Sequence, residues 1–373
     1  MIYKINPDRT KPFNDLPELP IEESLYKDFE VYEKLISAKS ALARLNGRSI
    51  AIPNQGLLIN SISLQEAKAS SEIENIFTTD DELYKAYSEE NVKELIGPEK
   101  EILNYREALW EGFEQLQKQP QFNENYFVKM YQTLSSFSDG IRSPIAQIYI
   151  KEGGSGPNAG KAFYTPPRGA GIVEKKLENL IEFINDDEKY KLDPLLKMAI
   201  AHFQFEAIHP FRDGNGRTGR LFNIHFLNNK GLLDYPILFL SKYIIDHKEE
   251  YYSGLAGITQ RGSWKTWFLY ILQAIETTSN LTFDKINDIV AAKDAILEAL
   301  VNNTSISRPE SLVSALFNQP FTKVKHLTEK GLYAENTARK YLEELVGMKI
   351  LEKRKIQGNH YYLNLELYRI LSE

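Results

Sequence analysis

The chain contains no cysteine among its 373 residues. Disulfides and thiolate metal sites are therefore excluded, and a cytoplasmic home is expected. No apolar run approaches the roughly 18 residues that a membrane helix needs, so no membrane partner is expected. The opening Met1-Ile2-Tyr3-Lys4-Ile5-Asn6-Pro7 carries no signal-peptide pattern. There is no internal repeat and no long low-complexity tract. Positive charge is not in excess either: the net charge is −6, which argues against a chain that coats nucleic acid along its whole surface. What remains is an ordinary globular composition, with length enough for two or three cores.

Residues 209 to 220 read His-Pro-Phe-Arg-Asp-Gly-Asn-Gly-Arg-Thr-Gly-Arg. Apolar helical patterns flank them, so they read as a loop feeding a helix. A helix start offers free N–H groups and the positive end of a dipole, which suits phosphate. Gly214 and Gly216 let the backbone approach an anion closely. Arg217 and Arg220 can pair with phosphate oxygens. Asp213 can hold Mg²⁺ beside them. His209 is the residue here that takes a proton near neutral pH. The stretch is no Walker A loop, for it lacks Gly-Lys-[Ser/Thr], and no Gly-x-Gly-x-x-Gly turn after a strand.

The stretch resembles the signature of the Fic family, His-x-Phe-x-[Asp/Glu]-Gly-Asn-Gly-Arg-x-x-Arg. Every fixed position is met: His209, Phe211, Asp213, Gly214, Asn215, Gly216, Arg217 and Arg220. Upstream, Ser70-Ser71-Glu72-Ile73-Glu74-Asn75 resembles the inhibitory motif of the same family, [Ser/Thr]-x-x-x-Glu-[Gly/Asn], through Ser70, Glu74 and Asn75. Ser63-Leu64-Gln65-Glu66 reads as a capping box, so an inhibitory helix is expected over 64–75.

The resemblance implies a mainly α fold. A Fic-type helical core with a β-hairpin flap carries a C-terminal α+β winged helix. The expected divisions are 1–95 (arm and helices, including the inhibitory helix), 96–300 (catalytic core) and 305–373 (winged helix). Pro7, Pro12, Pro17 and Pro20 mark an extended arm over 1–27. Helices are expected near 28–46, 82–89, 97–118, 123–136, 171–186, 190–208, 216–229, 244–254 and 264–302. Ile145–Ile150 and Ala162–Thr165 read as two strands of a hairpin over 145–165. Gly153, Gly154, Gly156, Pro157 and Gly160 form its loose tip. In the family such a flap clamps the segment to be modified, which here points to Phe163, Tyr164 and Thr165.

Helices over 322–330 and 335–346, followed by a hairpin over 350–364, resemble a winged helix. Residues 321–369 hold ten Lys and Arg against six Glu. Arg339 and Lys340 lie on the candidate recognition helix, and Lys353, Arg354 and Lys355 on the wing. Contact with DNA and a protein-docking or dimer-supporting role both stay open, the second favoured by Glu343 and Glu344 on the same helix.

What the family implies is transfer of AMP from ATP to a Ser, Thr or Tyr hydroxyl of a target protein, with the chain itself as a second target and a homodimer as one form. His209 matches the general base. Gly214, Asn215 (with its side chain in the anion hole), Gly216, Arg217, Thr218, Gly219 and Arg220 match the nucleotide-binding turn, with Arg220 on the γ-phosphate, Asp213 on Mg²⁺ and Tyr251 and Tyr252 near adenine. Glu74 would pair with Arg220 and hold ATP in a non-productive pose. Removal of AMP, with Glu74 aligning a water, is an alternative, as is a nucleotide-sensing regulator acting through its winged helix. His202 and His209, two helical turns apart, could form a metal site only with a third ligand, for which Glu206 is the one local candidate. His225, His247, His326 and His360 have no motif context.

Overall fold

The structure, a computed structural model, describes residues 4–6, 8–50, 55–88, 96–151, 162–356 and 359–372. Its centre is a pair of helices, α7 (Pro194–Ile208) and α8 (Asn215–Asn229), whose side chains are buried on nearly every face. α7 is apolar on most faces and so becomes core, while α8 buries Arg217, Arg220 and His225 beside it with hydrogen-bond partners. The loop 209–214 between them is held on both sides by the best-packed part of the molecule. Around the pair lie α4 (Pro98–Lys118), α5 (Glu124–Ser135) and α6 (Ile172–Asn185).

α1 (Phe29–Ile50) lies along α11 (Trp264–Asn303), the longest helix. Lys34 and Ser37 meet Glu276, Arg44 meets Asn280, and Arg48 meets Asn287. Partners advance together along both helices, so the two run parallel. The expected stop of α1 at Asn46-Gly47 is corrected: nothing lies within 4 Å of a Cβ placed on Gly47, and the helix passes through it to Ile50. Glycine costs only about 1 kcal/mol in a helix, which the packing of Leu42 and Leu45 outweighs.

α2 (Gln55–Ile73) corrects a second expectation, since Ser63 does not cap it. Ser63 is buried in mid-helix, and its hydroxyl donates to the Asn60 carbonyl at 3.2 Å. The helix stops as expected near Asn75, which takes φ 63°, a left-handed conformation that Asn tolerates better than most. α3 (Asp80–Tyr87) starts from a real capping box, Thr79 with Glu82; the expected end at Glu89 lies outside the described residues. The pattern expected at 244–254 is two helices, α9 (Leu240–Asp246) and α10 (Lys248–Arg261), which meet at His247.

The flap hairpin is shorter than its sequence suggests. β1 (Ile150–Lys151) pairs antiparallel with β2 (Ala162–Tyr164), while 145–149 are not strand. The glycine-rich tip lies outside the described residues. The N-terminal arm is pinned rather than free. Phe13, Leu16 and Leu19 are buried, Gln204 donates to the Pro17 carbonyl at 2.9 Å, and Lys176 donates to the Leu16 carbonyl at 2.6 Å.

The C-terminal region has a winged-helix arrangement: α12 (Pro309–Leu316), β3 (Phe321–Thr322), α13 (Val324–Thr328), α14 (Glu335–Gly347), β4 (Leu351–Ile356), β5 (Asn359–Asn364) and α15 (Leu365–Ser372). The antiparallel sheet has the order β3-β5-β4, with Phe321 opposite Leu363 and Leu351 opposite Asn364. This unit folds back on the rest of the chain. Lys285 of α11 donates to the Ile370 carbonyl at 2.6 Å, Tyr368 meets Tyr84 edge-on, and Arg354 of the wing pairs with Asp81 at 2.9 Å. Among the described residues no helix is long and apolar enough to cross a membrane.

Candidate active site

His209 caps the C-terminus of α7 at φ 51°. Such a backbone is sparsely populated by residues other than glycine and persists only when its surroundings hold it. Arg142 holds it here. This buried side chain donates from Nε to the His209 carbonyl at 2.8 Å and from Nη2 to the Ile208 carbonyl at 3.3 Å. Its backbone N–H reaches the Pro210 carbonyl at 2.9 Å. Burial, with the Arg142 charge adding to it, pushes the His209 imidazole down to about 4. The ring is therefore neutral at neutral pH, so one of its nitrogens carries no proton. A neutral imidazole with an open nitrogen can accept a proton.

The loop after His209 is stapled shut. Phe211 stacks on Tyr131 with centroids 4.3 Å apart and planes within 4°. Asn215 donates from Nδ2 to the Phe211 carbonyl at 2.8 Å and accepts the Phe211 N–H at 2.9 Å. Both ends of the carboxamide thus serve the loop, and the second Nδ2–H is the one left to meet an anion. Thr218 likewise donates to the Gly214 carbonyl at 2.9 Å. Gly214 sits at φ 67° as the N-cap of α8, where a side chain would be strained. Asp213 is exposed beside it and accepts the Gly214 N–H at 2.8 Å. The N–H groups that begin α8 are the anion-binding element this geometry leaves.

The two arginines of the motif face different ways. Arg217 pairs with Glu101 of α4 at 2.9 Å. Arg220 is buried, with 1% of its side chain exposed, and turns toward α2. Its Nε donates to Ser70 Oγ at 2.9 Å, and its Nη2 donates to the Ser70 carbonyl and to Glu74 Oε1, both at 2.8 Å. Burial works against the Glu74 carboxylate, but Arg220 beside it outweighs this and holds its pKa below the ordinary value. Asn75 sits at the turn that aims Glu74, its Oδ1 3.5 Å from Lys248 Nζ. Gly216 is the contact surface: a Cβ there would stand 2.3 Å from Glu74 Oε1.

A single pocket brings these groups together. His209, Gly216, Arg220 and Glu74 line one part of its wall, and Phe163 and Tyr164 come from the flap. Tyr252, Leu255, Ala256 and Thr259 of α10 line another part, with Phe203 and Glu206 of α7. Tyr164 is tied in place, its hydroxyl donating to the Ala207 carbonyl at 2.9 Å. Thr165 points to the arm instead, donating to the Arg9 carbonyl at 2.6 Å. Tyr251 is buried and donates to His202 Nε2 at 2.8 Å, while His202 Nδ1 donates to the Gly219 carbonyl at 3.2 Å. With both nitrogens engaged, His202 has no vacancy for a metal.

Arg142 was not singled out by sequence reasoning. Arg142 acts across 67 residues on a backbone carbonyl, which leaves no local pattern. The remaining histidines are structural or exposed. His225 donates to the Leu109 carbonyl at 2.8 Å and meets the Tyr126 hydroxyl at 2.7 Å, and His360 is exposed. Among the described residues no cluster of three or more His, Asp or Glu could hold a metal by itself. Asp213 is exposed and lines a neighbouring pocket with Glu101 and Arg217, where it offers a single carboxylate of the kind Mg²⁺ accepts as one ligand.

Comparison with known proteins agrees with this geometry. Residues 32–114 match the family described as Fic/DOC family N-terminal, and 99–227 match Fic/DOC family. Residues 302–367 match the C-terminal domain of SoFic-like protein adenylyltransferases. Protein adenylyltransferase fic-1 of Caenorhabditis elegans is 29% identical over 106 residues, 28% of this chain and 20% of that protein. Protein adenylyltransferase Fic of Culex quinquefasciatus is 30% identical over 115 residues, 31% of this chain and 22% of that protein. The match thus spans about a fifth of the length of these relatives. Among solved structures, a Fic family protein from Desulfovibrio desulfuricans G20 superposes with a TM-score of 0.56 at 20% identity, covering 93% of this chain and 98% of that one.

Proposed function

Because the chain belongs to the Fic/DOC family, we propose that it transfers AMP from ATP to a Ser, Thr or Tyr hydroxyl of a target protein and that Glu74 restrains the transfer. One observation carries this reading. A neutral His209 and the anion-binding start of α8 line the same pocket, so base and phosphate site adjoin. The target oxygen attacks the α-phosphorus, its proton passes to His209, and the bond to pyrophosphate breaks. Backbone N–H groups at the start of α8 meet the charge gathered on the α-phosphate. Arg220, once free of Glu74, serves the γ-phosphate. Asp213 would hold Mg²⁺, which neutralises phosphate charge when bound.

The flap supports a protein target. β1 and β2 line the pocket mouth with Ile150, Phe163 and Tyr164, and a short strand pair can dock an extended segment by main-chain pairing. One observation favours a second reaction at the same site. Glu74 is held ionised and lines the same pocket as His209, so it could align a water for removal of AMP.

We read the winged helix as a docking element rather than a DNA reader. Arg339 pairs with Glu335 at 2.8 Å, Lys353 pairs with Glu343, and Arg354 pairs with Asp81 and Glu352. Cations already paired have fewer counterions to release on a duplex.

The test is labelling of a lysate by the Glu74→Gly protein with α- and γ-labelled ATP. Label from the α position alone supports AMP transfer; label from γ alone, or from neither, overturns it. Release of AMP from a pre-modified target would identify the second reaction.

A further inference from the structure

From Ser61 to Ile73, α2 is buried on almost every face, as α7 is, but its content differs. Ser61, Ser63, Gln65, Glu66, Ser70 and Ser71 all lie inside. A buried, hydrogen-bonded polar group gains little over its hydration in water, whereas buried apolar surface is the main source of stability. α2 therefore keeps its place less through an apolar face of its own than through the elements that enclose it. That puts it among the parts of the core that open most readily.

Part of the enclosure is the catalytic core, where Tyr105 of α4 and Ser241 of α9 donate to Glu66. Another part is α3, with the winged helix behind it. Gln65 donates from Nε2 to the Tyr84 hydroxyl, and Lys68 pairs with Asp80 at 2.7 Å. Lys68 stands about two turns before Glu74. Tyr84 is buried, and Tyr368 of α15 meets its ring edge-on with centroids 6.0 Å apart. Asp81, the neighbour of Asp80, pairs with Arg354 of the wing at 2.9 Å. α15 also packs directly on α2. Thus α3 is a shim, and the C-terminal unit presses it against the helix that ends at Glu74.

We propose that the winged helix is the clamp that keeps α2 seated, so that docking of this C-terminal unit sets the rate of transfer. This rests on the reading of Glu74 as a restraint on AMP transfer. When the unit leaves, Tyr84 and Asp80 lose their backing, α2 loses a wall, and Glu74 withdraws from Arg220. No residue of the clamp touches nucleotide or target. A partner protein that binds the undocked unit better than the docked one shifts the population toward the released state and raises transfer.

The experiment measures label from α-labelled ATP incorporated into a lysate by the full chain. Tyr368→Ala, Asp81→Lys and the double variant Asp81→Cys/Arg354→Cys are compared with wild type, each also in the Glu74→Gly background. The chain has no cysteine of its own, so a short bifunctional maleimide bridges positions 81 and 354 alone. Tyr368→Ala should raise transfer about three- to tenfold, the range that an aromatic pair sets. Asp81→Lys should raise it about twofold. Bridging the double variant should return it to the wild-type rate or below. In the Glu74→Gly background all of these proteins should transfer alike, since the restraint is already gone. Hydrogen exchange of the amides over 64–73 should quicken in Tyr368→Ala and Asp81→Lys. A rise that persists in the Glu74→Gly background overturns the proposal, as does a bridged protein as fast as the open one. So does exchange that quickens in the winged helix and not in α2. Should Tyr368→Ala fail to fold, Asp81→Lys and the bridged protein carry the same test. Glu74→Gly that labels fast while the clamp variants stay at the wild-type rate overturns this inference alone. Glu74→Gly that incorporates no α label overturns the transfer reading and this inference with it.

Discussion

Glu74 and Arg220 lie 146 residues apart in the chain and 2.8 Å apart in space. The pair is not alone. Ser70 takes Arg220 Nε on its hydroxyl and Nη2 on its carbonyl, so the end of α2 receives three hydrogen bonds from one guanidinium. An arginine so occupied has little left for a γ-phosphate. Ser70 and Glu74 are one helical turn apart, which is why a Ser-x-x-x-Glu spacing can present both groups to the same side chain.

Glu74→Gly should therefore raise AMP transfer at least tenfold, and self-modification with it. It should also lower stability when no nucleotide is present, because a buried Arg220 loses its counter-charge. Glu74 is 34% exposed, so solvent screens the pair. The loss should be on the order of 1–2 kcal/mol, below that of a fully buried pair. Adding ATP should restore most of the melting temperature. Equal labelling by variant and wild type would remove the inhibitory role from Glu74.

Gly216 gives an independent check on the same contact. An alanine Cβ there would meet Glu74 Oε1 at 2.3 Å and Arg220 Nη1 at 3.0 Å. Gly216→Ala should cost about 1–2 kcal/mol in the wild type. In a Glu74→Gly background the 2.3 Å clash is gone and only the Arg220 Nη1 contact at 3.0 Å remains, at the end of a long side chain, so alanine should cost much less or be neutral. Chemical denaturation of the four proteins measures the coupling. Additive effects would mean that Glu74 does not occupy this position in solution.

Much of this site was legible because its chemistry is local. The run from His209 to Arg220 is contiguous, and its glycines mark the places where the backbone turns, Gly214, or is closely approached, Gly216 and Gly219. Ser70, Glu74 and Asn75 were legible through spacing and through the left-handed turn that Asn75 tolerates. What was illegible depends on distance or on choice. Arg142 supports His209 through backbone carbonyls, and no spacing records that. Ser63 could equally cap a helix or bond back within one, and only the apolar partners around it decide for the latter. Nothing in the sequence shows that the Asn215 carboxamide bonds both ways to the Phe211 backbone. Helices over 244–254 could not be divided from sequence, because His247 carries no breaker signal.

The winged helix gives a prediction of opposite sign to that of a DNA reader. If Arg354 and its neighbours are docked, the full chain should not retard duplex DNA even at low salt. Asp81→Lys should instead loosen the C-terminal unit and raise its protease sensitivity, the exposed pair being worth well under 1 kcal/mol by itself. A salt-sensitive shift of duplex by the wild type would restore the DNA reading.

Acid should weaken the fold before it reaches the carboxylates. Burial pushes His225 down to about 4 and His202 to about 3. Both folded values lie below the unfolded value of about 6.5. The unfolded chain then binds more protons, so the stabilisation present above pH 6.5 is lost as pH falls toward 4. Denaturation midpoints should drop steadily over that window. His225→Gln should flatten part of the slope, at a constant cost from the altered contacts to Leu109 and Tyr126. An unchanged slope would show that His225 keeps an ordinary pKa in the folded state.

His209 joins the two themes of burial and chemistry. Its imidazole accepts the proton only while neutral, and burial beside Arg142 brings its folded value down to about 4. In the activated Glu74→Gly protein, kcat/KM should stay level as pH falls through 6.5 and decline only toward pH 4, for as long as the protein remains folded. A protonation limb centred near 6.5 would show that the ring is solvated in the free enzyme. Arg142→Lys should disturb the same group from the other side, since a single ammonium cannot serve the carbonyls of His209, Ile208 and Pro167 together. Its kcat should fall more than its ATP affinity. His209→Ala in the Glu74→Gly background should lose about 10² to 10⁴ in transfer rate while still binding ATP, because the phosphates are held by other groups. Near-normal labelling by that double variant would take the base assignment away from His209, and weakened ATP binding would move its role from proton transfer to the pocket wall.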